Sequence, residues 1–402
     1  MTRTASAPLE RPAVLALGTA VPAHRIDQAA LGRWMAQSLS DQPKLGRWLE
    51  YLYAKSGVEH RYSCLSDAEY PSEESRFAPR RTPAEAPTTA ERMAIYEREA
   101  VTIGVAAARD ALVDYAASSG DTPAEVGQAI THLIIVSCTG FFAPGLDQVI
   151  ARELELRPTV ERTLIGFMGC AAAFNALRLA NHIVRADADA QVLIVCVELC
   201  SLHVQPGTER TNLIVASLFS DGAAACIVGA ARHAPADHFR LDALHTSLQP
   251  ESTGDMVWQV GDYGFNLQLS ALIPQTLELA APVTLANIVD DPARLQFWAI
   301  HPGGRAIVDR LAAAFALTSE QVAPSRSILR DYGNMSSPTI LFVLKLWRDQ
   351  LRAQSIQESS DGIMMAFGPG LVIEMARVAY VPHAVLEAAP LHRQGVALAP
   401  VA

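Results

Sequence analysis

Three residues that are far apart in the sequence could together form a catalytic site: Cys170, His301 and Asn334. Cys170 lies in GFMGCAAAFNAL, where a glycine precedes it and a helix of small apolar residues follows. The N-terminus of a helix stabilises a thiolate and lowers the pKa of a thiol there. Cys170 is therefore either a nucleophile or a buried packing residue, and its own segment leaves both interpretations open.

His301 lies in AIHPGGRA and Asn334 in DYGNMSSPTILF. A histidine after an apolar strand could accept a thiol proton or donate to a developing oxyanion, or it could simply reach solvent. A buried asparagine costs free energy unless it is hydrogen-bonded. Together the two side chains could bind a carbonyl oxygen, which suits acyl transfer through a thioester and an enolate. Papain-like hydrolases also use Cys, His and Asn, but their local signatures differ.

The spacing of these segments indicates an internal duplication. THLIIVSCTG starts at 131 and LQFWAIHPGG at 295, and Gly169 and Gly333 each precede the residue that opens an apolar helix. Both pairs are separated by 164 residues. Related halves packed about a pseudo-twofold axis would bring equivalent loops together. The duplication therefore predicts that the cysteine, the histidine and the asparagine converge between the halves.

Short apolar segments bounded by glycine and proline alternate with helical stretches, which predicts an α/β layered fold. The predicted strands lie in 12–21, 131–140, 191–199, 223–230, 295–303 and 362–370. The chain of 402 residues is long enough for one large α/β unit or two fused domains. Segment 65–92 is polar and rich in proline, which predicts an irregular surface excursion.

Composition excludes several functions. The formal net charge is −10 and no basic stripe is present, so nucleic acid is not an expected partner. The six cysteines lie mostly in apolar segments without a CxxC pair, which favours reduced thiols over disulfides or a zinc site. The N-terminus lacks a hydrophobic signal segment, and no apolar segment is as long as a membrane span. These features predict a cytoplasmic protein without a membrane span.

The ordered set of motifs resembles the type III polyketide synthases, the chalcone synthase-like family of thiolase-fold condensing enzymes, and its bacterial members in particular. The motifs are AVLALGTAVP, GCAAAFNALRLA, SLFSDGAAACIVG, HPGGRAIVD, YGNMSSPTILFVL and FGPGLVIE. The resemblance implies a thiolase-like α/β fold with two pseudo-equivalent βαβαβ-type halves in five α-β-α-β-α layers. It places the cysteine in an N-terminal half, 1–235, and the histidine and asparagine in a C-terminal half, 236–402.

The resemblance also implies roles for single residues. Cys170 would carry the growing acyl chain, and His301 and Asn334 would bind the thioester oxygen of malonyl-CoA as it loses carbon dioxide. Phe219 would be the aromatic gatekeeper, whose apolar face disfavours the malonyl carboxylate. The second gatekeeper aligns with Leu267, or with Phe265 if the register shifts by two residues. The other expected cavity residues are Thr139, Ala143, Glu198, Cys200, His203, Ser336, Phe367, Gly368 and Pro369.

The cavity positions also depart from the plant pattern. Cys200 and His203 stand where plant enzymes have threonines, which is similar to bacterial enzymes that make alkylpyrones, alkylresorcinols, phloroglucinol or tetrahydroxynaphthalene. His203 could hydrogen-bond an intermediate or be a packing residue. The starter acyl group, the number of extensions and the mode of cyclisation stay open.

The implied substrates are an acyl-CoA starter and malonyl-CoA, with no metal or other cofactor. Lys55 matches a residue that meets the CoA phosphates in the family, whereas Trp48 and Tyr51 replace two other expected cations. Arg47 could compensate, and Ala306 lies where the CoA arm would pass. From spacing alone, the cations of 44–61 could equally form a solvated helix face.

The family also implies a homodimer in which one loop residue enters the partner's cavity. Ala143 occupies that position and is too small to project far.

Three other interpretations remain. An initiating ketoacyl-ACP synthase shares the cysteine, histidine and asparagine, but HPGG and FGPG differ from its motifs. A hydroxymethylglutaryl-CoA synthase would need a glutamate near the cysteine, and none is evident. A catalytically silent thiolase-fold partner or binding module would not need the three residues at all.

Overall fold

A computed structural model describes residues 11–383, except for residues 40, 70, 73, 79 and 80. The ends of the two predicted halves, 1–10 and 384–402, lie outside the described residues. The strands are β1 (Pro12–Ala20), β2 (His24–Asp27), β3 (His60–Ser63), β4 (His132–Ser137), β5 (Glu161–Gly166), β6 (Val192–Leu199), β7 (Asp221–Ala230), β8 (His238–Leu248), β9 (Met256–Gly261), β10 (Gly264–Leu269), β11 (Phe297–Ile300), β12 (Ser360–Gly368) and β13 (Val372–Val381).

The helices alternate with these strands, as the apolar pattern predicts. They are α1 (Gln28–Gln37), α2 (Pro43–Lys55), α3 (Ser66–Glu69), α4 (Thr89–Ser119), α5 (Pro123–Ala129), α6 (Leu146–Glu153), α7 (Ala172–Ala186), α8 (Arg210–Leu218), α9 (Ile273–Leu285), α10 (Arg305–Ala314), α11 (Ser319–Tyr332) and α12 (Thr339–Ala353). The longest, α4, begins at a capping box formed by Thr88 and Glu91 and ends at Gly120 in the left-handed conformation. Within the described part of the chain, no helix is long and apolar enough to cross a membrane.

The main sheet shows the predicted duplication in its strand order, β11-β12-β13-β8-β1-β7-β6-β4-β5. Outward from the centre, β1, β7, β6 and β4 on one side correspond to β8, β13, β12 and β11 on the other. The two outermost of these strands are parallel in each half: β6 with β4, and β12 with β11. The other neighbouring pairs within each half are antiparallel. The prediction of two equivalent halves is confirmed by this order.

Layers of helices cover both faces of each half of the sheet. The central layer consists of α7 and α12, whose side chains, such as Phe174 and Ile340, share one apolar core with both halves of the sheet. The outer face of the first half packs against α4, and the outer face of the second half packs against α9 and α10. The five α-β-α-β-α layers of a thiolase-like fold are therefore present.

The two halves are joined by hydrogen bonds as well as by packing. β1 pairs with β8 in an antiparallel register that places Ala13 opposite Arg240 and Val14 opposite Phe239. A single continuous sheet therefore runs through both halves. The predicted boundary at 235 falls between β7 and β8 and stays a prediction.

Two strands of the first half, β6 and β7, are buried on both faces. Every residue of β6 and of β7 is buried, so neither strand alternates apolar and polar residues. This pattern is typical of strands that have helices on both sides. It also explains why their sequences, VLIVCVEL and DGAAACIVGA, are almost continuously apolar.

Candidate functional site

Cys170 lies in a single 3-10 turn, Gly169–Ala171, that leads directly into α7. Gly169 has a φ of +64°, and a Cβ atom added there would lie 2.2 Å from Cδ of Pro369. Only glycine fits this backbone conformation and this close approach. The turn is thus held between the start of α7 and the residues that follow β12.

Asn334 is oriented by four hydrogen bonds. Its backbone N–H donates to Leu218 O and its carbonyl accepts from Ser220 N, both at 2.9 Å, which pairs it with Phe219. Its side-chain Oδ1 accepts from Ser336 N at 2.8 Å, and Nδ2 donates to Gly303 O at 3.3 Å. These bonds fix which end of the amide is the donor, and one N–H of Nδ2 has no acceptor among the described residues. Oδ1 lies 4.0 Å from the Cys170 sulfur.

His301 follows β11, where its backbone N–H donates to Met365 O at 2.8 Å. Its side chain is 1 % exposed, and neither ring nitrogen has a hydrogen-bond partner in the described protein. Burial lowers the pKa of His301 to about 3, because the charged imidazolium would lose its hydration. The ring is therefore neutral, with one nitrogen that can donate and one that can accept.

A cavity of about 520 Å³ brings the four predicted catalytic residues together. Cys170, His301, Asn334 and Phe219 all line it. The predicted cavity residues that also line it are Thr139, Cys200, His203, Leu267, Ser336, Phe367 and Pro369, together with Ala306 on the expected path of the CoA arm. Most of the remaining lining is apolar, and Arg61 and Asp67 are the only Asp, Glu, Lys or Arg side chains among the described residues that line it.

Three predicted cavity residues do not line this cavity. Ala143 is exposed on the loop after β4. Gly368 packs behind the cysteine turn, where a Cβ atom would lie 2.8 Å from Met168 O. Glu198 is fully buried behind the cavity wall. Phe367 and Pro369, the sequence neighbours of Gly368, do line the cavity. Adjacent strand residues point to opposite faces, and sequence position alone did not separate Gly368 from them.

Glu198 connects the loops that carry the site. Its carboxylate accepts from Cys138 N at 2.9 Å, from Thr139 Oγ1 at 2.8 Å and from Ser337 Oγ at 2.7 Å. Burial raises the pKa of Glu198 to about 7, although these three hydrogen bonds favour the charged form. The carboxyl group is therefore a structural link between β4 and the Asn334 segment.

The expected low pKa of Cys170 is not found in the free protein. Burial raises the pKa of this thiol to about 11, and the nearby Glu198 carboxylate adds to the increase. Hydrogen-bonding interactions with Ser336, with Asn334 and with its own backbone lower the pKa only in part. The single turn before α7 does not compensate for the loss of water around the sulfur. The thiol is neutral at pH 7 and needs a base.

His203 is a packing residue. One ring nitrogen, Nε2, lies 2.7 Å from Thr139 O, and Nδ1 accepts from Phe265 N at 2.9 Å. The ring stacks on Phe265 with centroids 4.3 Å apart, and burial lowers the pKa of His203 to about 3. Both nitrogens are used by the protein, so His203 cannot hydrogen-bond an intermediate. Phe265 and Leu267 both line the cavity, and only Leu267 is partly exposed there.

Segment 65–92 is more than a surface excursion. Part of it, including Leu65, Asp67, Pro71 and Phe77, forms one wall of the cavity. Its polar and proline-rich composition carries no signal for this role, because the composition is the same as that of an exposed loop. Arg61 and Trp258 are further lining residues that the sequence analysis did not assign to the cavity.

The predicted CoA-binding cations lie outside the cavity. Arg47 and Lys55 are exposed on α2, and neither forms an ion pair with another described residue. The guanidinium of Arg210, the first residue of α8, lies 5.2 Å above the ring of Trp48. The next residue, Thr211, is exposed and also lines the cavity, so the cavity opens beside the first turn of α8.

Comparison with known proteins supports one family across nearly the whole chain. The model of the N-terminal domain of chalcone and stilbene synthases matches residues 2–232, and the model of their C-terminal domain matches residues 241–382. A relative in Mycobacterium tuberculosis, the alpha-pyrone synthesis polyketide synthase-like protein Pks18, is 33% identical over 302 residues, which are 73% of this chain and 74% of Pks18. Type III polyketide synthase 21 of Oryza sativa subsp. japonica is 31% identical over 337 residues, 81% of this chain and 82% of the rice protein.

Solved structures show the same fold. PKS-I from the brown alga Ectocarpus siliculosus superposes with a TM-score of 0.83 and 27% identity, over 94% of this chain and 100% of the algal chain. The C-terminal type III polyketide synthase domain of Steely1 from Dictyostelium superposes with a TM-score of 0.80, over 92% of this chain and 99% of that domain. The identity to Steely1 is 24%, so this second likeness supports the fold alone.

The buried carboxyl group of Glu198 predicts a pH dependence of stability. Its pKa is raised from 4.5 to about 7, so between these values the folded chain holds a proton that the unfolded chain has released. The free energy of unfolding should therefore fall by about 1.4 kcal/mol per pH unit as the pH rises through this window. Glu198→Gln has no such proton. Its free energy of unfolding in urea should therefore fall less between pH 5 and pH 8 than that of the wild type. Glu97→Gln, at an exposed site on α4, is the control, and an unchanged fall in Glu198→Gln would contradict the prediction.

Proposed function

Because the chain belongs to the chalcone and stilbene synthase family and is a type III polyketide synthase, we propose that it condenses an acyl-CoA starter with malonyl-CoA on Cys170. The observation that carries this proposal is the meeting of Cys170, His301, Asn334 and Phe219 in one apolar cavity. Type III polyketide synthases need no cofactor beyond their CoA thioesters. A cytoplasmic location stays a prediction from the sequence.

The first step is transfer of the starter to the thiol. The Cys170 sulfur attacks the carbonyl carbon of the acyl-CoA, the acyl bond to CoA breaks, and CoA leaves with the proton from Cys170. His301 supports this step because its ring nitrogens have no hydrogen-bond partner among the described residues, so one of them can pass the thiol proton to the leaving CoA sulfur as the bonds change. The pKa of about 11 for Cys170 explains why such a base is needed.

The second step is decarboxylation of malonyl-CoA. The bond to the carboxylate breaks, carbon dioxide leaves, and the electron pair forms an enolate on the thioester oxygen. An N–H of neutral His301 and the unused N–H of Asn334 are the two donors for this oxygen. Phe219, beside Asn334, presents an apolar ring to the carboxylate and so favours its loss. The enolate carbon then attacks the Cys170 thioester, and the thiolate leaves.

The apolar walls of the cavity support a proposal for the class of product. Their apolar surface favours an aliphatic starter, and His203 has no free nitrogen to recognise a polar ring. We therefore propose an alkyl α-pyrone as product. In this ring closure an enol oxygen attacks the thioester carbonyl, the carbon–sulfur bond breaks, and the thiol leaves with the enol proton. The closure needs no further catalytic group, and the name of the relative Pks18 refers to alpha-pyrone synthesis.

The nucleotide end of the CoA substrates is proposed to lie at the opening beside α8. Arg47 and Lys55 on α2 and Arg210 on α8 are exposed, and none forms an ion pair with a described carboxylate. Most other exposed arginines, such as Arg162 and Arg310, are paired with Asp or Glu. Free cations at this opening are suited to the phosphate groups of CoA.

The proposal includes a homodimer formed through the edge of the sheet at β5. This strand has no neighbour on its outer side in the described chain, and most of its residues are exposed. Leu164 on β5 is 48% exposed. Phe141 and Met168, which are close in sequence to Thr139 and Cys170, are 53% and 41% exposed. An uncovered strand edge with apolar neighbours is suited to pairing with a second chain.

The proposed reaction predicts that product formation depends on one thiol. Purified protein with malonyl-CoA and hexanoyl-, lauroyl- or coumaroyl-CoA should give alkyl α-pyrones from the aliphatic starters, as identified by mass spectrometry. Cys170→Ala should give none, whereas Cys226→Ala, which alters a buried thiol outside the cavity lining, should keep the activity. Condensed product from Cys170→Ala would contradict the role of this residue, and resorcinols in place of pyrones would contradict the mode of closure.

The proposed CoA opening predicts a difference between two thioesters of one starter. Lys55→Gln or Arg210→Gln should raise KM for lauroyl-CoA about fivefold, as expected for the loss of about 1 kcal/mol from an exposed ion pair. KM for the N-acetylcysteamine thioester of the same acid should not change, because that thioester lacks the nucleotide. Arg294→Gln, at an exposed arginine before β11, is the matched control. Equal changes with both thioesters would place these cations elsewhere than at the nucleotide.

The proposed dimer predicts a sedimentation result. The wild type should sediment as a dimer at micromolar concentration, and Leu164→Glu should shift it towards the monomer by placing charges at the interface. Leu279→Glu, at a leucine on α9 that is 69% exposed, should leave the dimer unchanged. A wild type that stays monomeric at tens of micromolar, or an equal effect of both variants, would contradict a dimer through β5.

A further inference from the structure

Arg61 is a buried cation in the wall of the active-site cavity, and nothing in the proposed chemistry uses it. Its side chain is 4% exposed, and it is the only lysine or arginine among the described residues that line the cavity. No carboxylate of the described chain forms an ion pair with it, and its Nε has no hydrogen-bond partner there. A buried guanidinium without a counter-ion is costly, so the position is not explained by stability alone.

The partners of Arg61 are backbone carbonyls at the end of α8. Its Nη1 donates to Ala216 O at 2.5 Å and to Phe219 O at 2.9 Å, and its guanidinium lies 5.5 Å from the ring centroid of Tyr53. The last carbonyls of a helix have no partner within the helix and must be satisfied from outside. One arginine nitrogen therefore joins a carbonyl in the last turn of α8 to the carbonyl of Phe219, and Tyr53 Oη also donates to Ala216 O, at 3.4 Å.

Strand β3, which carries Arg61, also forms hydrogen bonds with Ser220, the residue after Phe219. The backbone N–H of Tyr62 donates to Ser220 Oγ at 2.9 Å, and Ser220 Oγ donates to Tyr62 O at 3.0 Å. Ser220 N in turn donates to Asn334 O, and Asn334 N donates to Leu218 O. A continuous set of hydrogen bonds thus runs from β3 through the backbone around Phe219 to Asn334.

We propose that Arg61 is a positioning residue for the decarboxylation step, acting through Phe219 and the backbone paired with it at Asn334. This inference rests on the proposed function. The two N–H groups of Nη1 lie in the guanidinium plane and bind both carbonyl groups there, which a lysine ammonium does in a less directed way. Without Arg61 the Phe219 ring and the Asn334 amide lose their fixed separation, and misplacement of about 1 Å can slow a reaction about 100-fold.

The two half-reactions of the enzyme depend on Arg61 to different extents. Loading of the starter uses the Cys170 thiol and the His301 ring, and neither side chain is bonded to Arg61. Decarboxylation of malonyl-CoA uses the Phe219 ring together with the Asn334 amide. Loss of the guanidinium should therefore slow decarboxylation much more than loading, whereas general loss of folded protein would lower both rates equally.

The experiment compares the two rates in Arg61→Met and Arg61→Lys. Loading is followed as the acyl adduct on Cys170 by intact-protein mass spectrometry with lauroyl-CoA. Decarboxylation is followed as acetyl-CoA formed from malonyl-CoA, in which a proton replaces the carboxylate that leaves as carbon dioxide. Arg61→Met should lower the decarboxylation rate about 10- to 100-fold while loading changes less than about threefold. Arg61→Lys should lie between Arg61→Met and the wild type.

Arg92→Met is the matched control for the loss of a buried arginine. Arg92 is fully buried and donates to the backbone carbonyls of Pro87, Leu202 and Val204, but it has no contact with Phe219. Its loss should lower the melting temperature as much as the loss of Arg61 does and leave the ratio of the two rates unchanged. The ratio therefore separates positioning from stability.

An unchanged ratio in Arg61→Met would overturn the inference, as would an equal change of the ratio in Arg92→Met. If Arg61→Met does not fold, the ratio in Arg61→Lys decides: a fall of about threefold or more supports the inference, and no fall overturns it. A wild type that neither loads a starter nor decarboxylates malonyl-CoA would overturn the proposed function itself. That result differs from a working enzyme in which Arg61 is dispensable.

Discussion

The packing of two apolar helices between the two halves of the sheet is the constraint on which the rest of the structure depends. Helices α7 and α12 share one core with both halves, so each is covered on opposite sides by strands. Such helices must be apolar around most of their circumference. Because they are equivalent, the residues just before them meet at one place, and Cys170 lies 4.0 Å from Asn334 although 164 residues separate them.

Apart from Arg61 and Asp67 in its wall, the cavity formed there carries little charge when no substrate is bound. Burial raises the pKa of the Cys170 thiol, raises that of the Glu198 carboxyl and lowers that of the His301 imidazole. Each shift favours the neutral form, as expected where water is excluded. Negative charge enters with the substrate as a carboxylate and moves to a thioester oxygen. Neutral donors held in advance can stabilise that charge without a cost of reorganisation during the step.

Hydrogen bonds outside the reacting groups keep these donors in place. Ser336 N and Gly303 O orient the Asn334 amide, and Glu198 links the loops after β4 and before α12. The end of α8 is connected to Asn334 through paired backbone groups. The site is thus built on strand ends and helix ends, whose backbone groups are otherwise without partners.

The layered α/β architecture, the duplication and the convergence of Cys170, His301 and Asn334 could all be predicted from the sequence. These follow from local patterns: continuous apolar strands, glycines before apolar helices, and one repeated spacing of 164 residues. Three features became visible only in the folded chain: Glu198 and Gly368 lie behind the cavity, His203 is a packing residue, and part of segment 65–92 forms a wall. The direction in which the pKa of Cys170 shifts also depends on the folded chain. The effect of a helix end is local, whereas desolvation depends on every element packed around the sulfur.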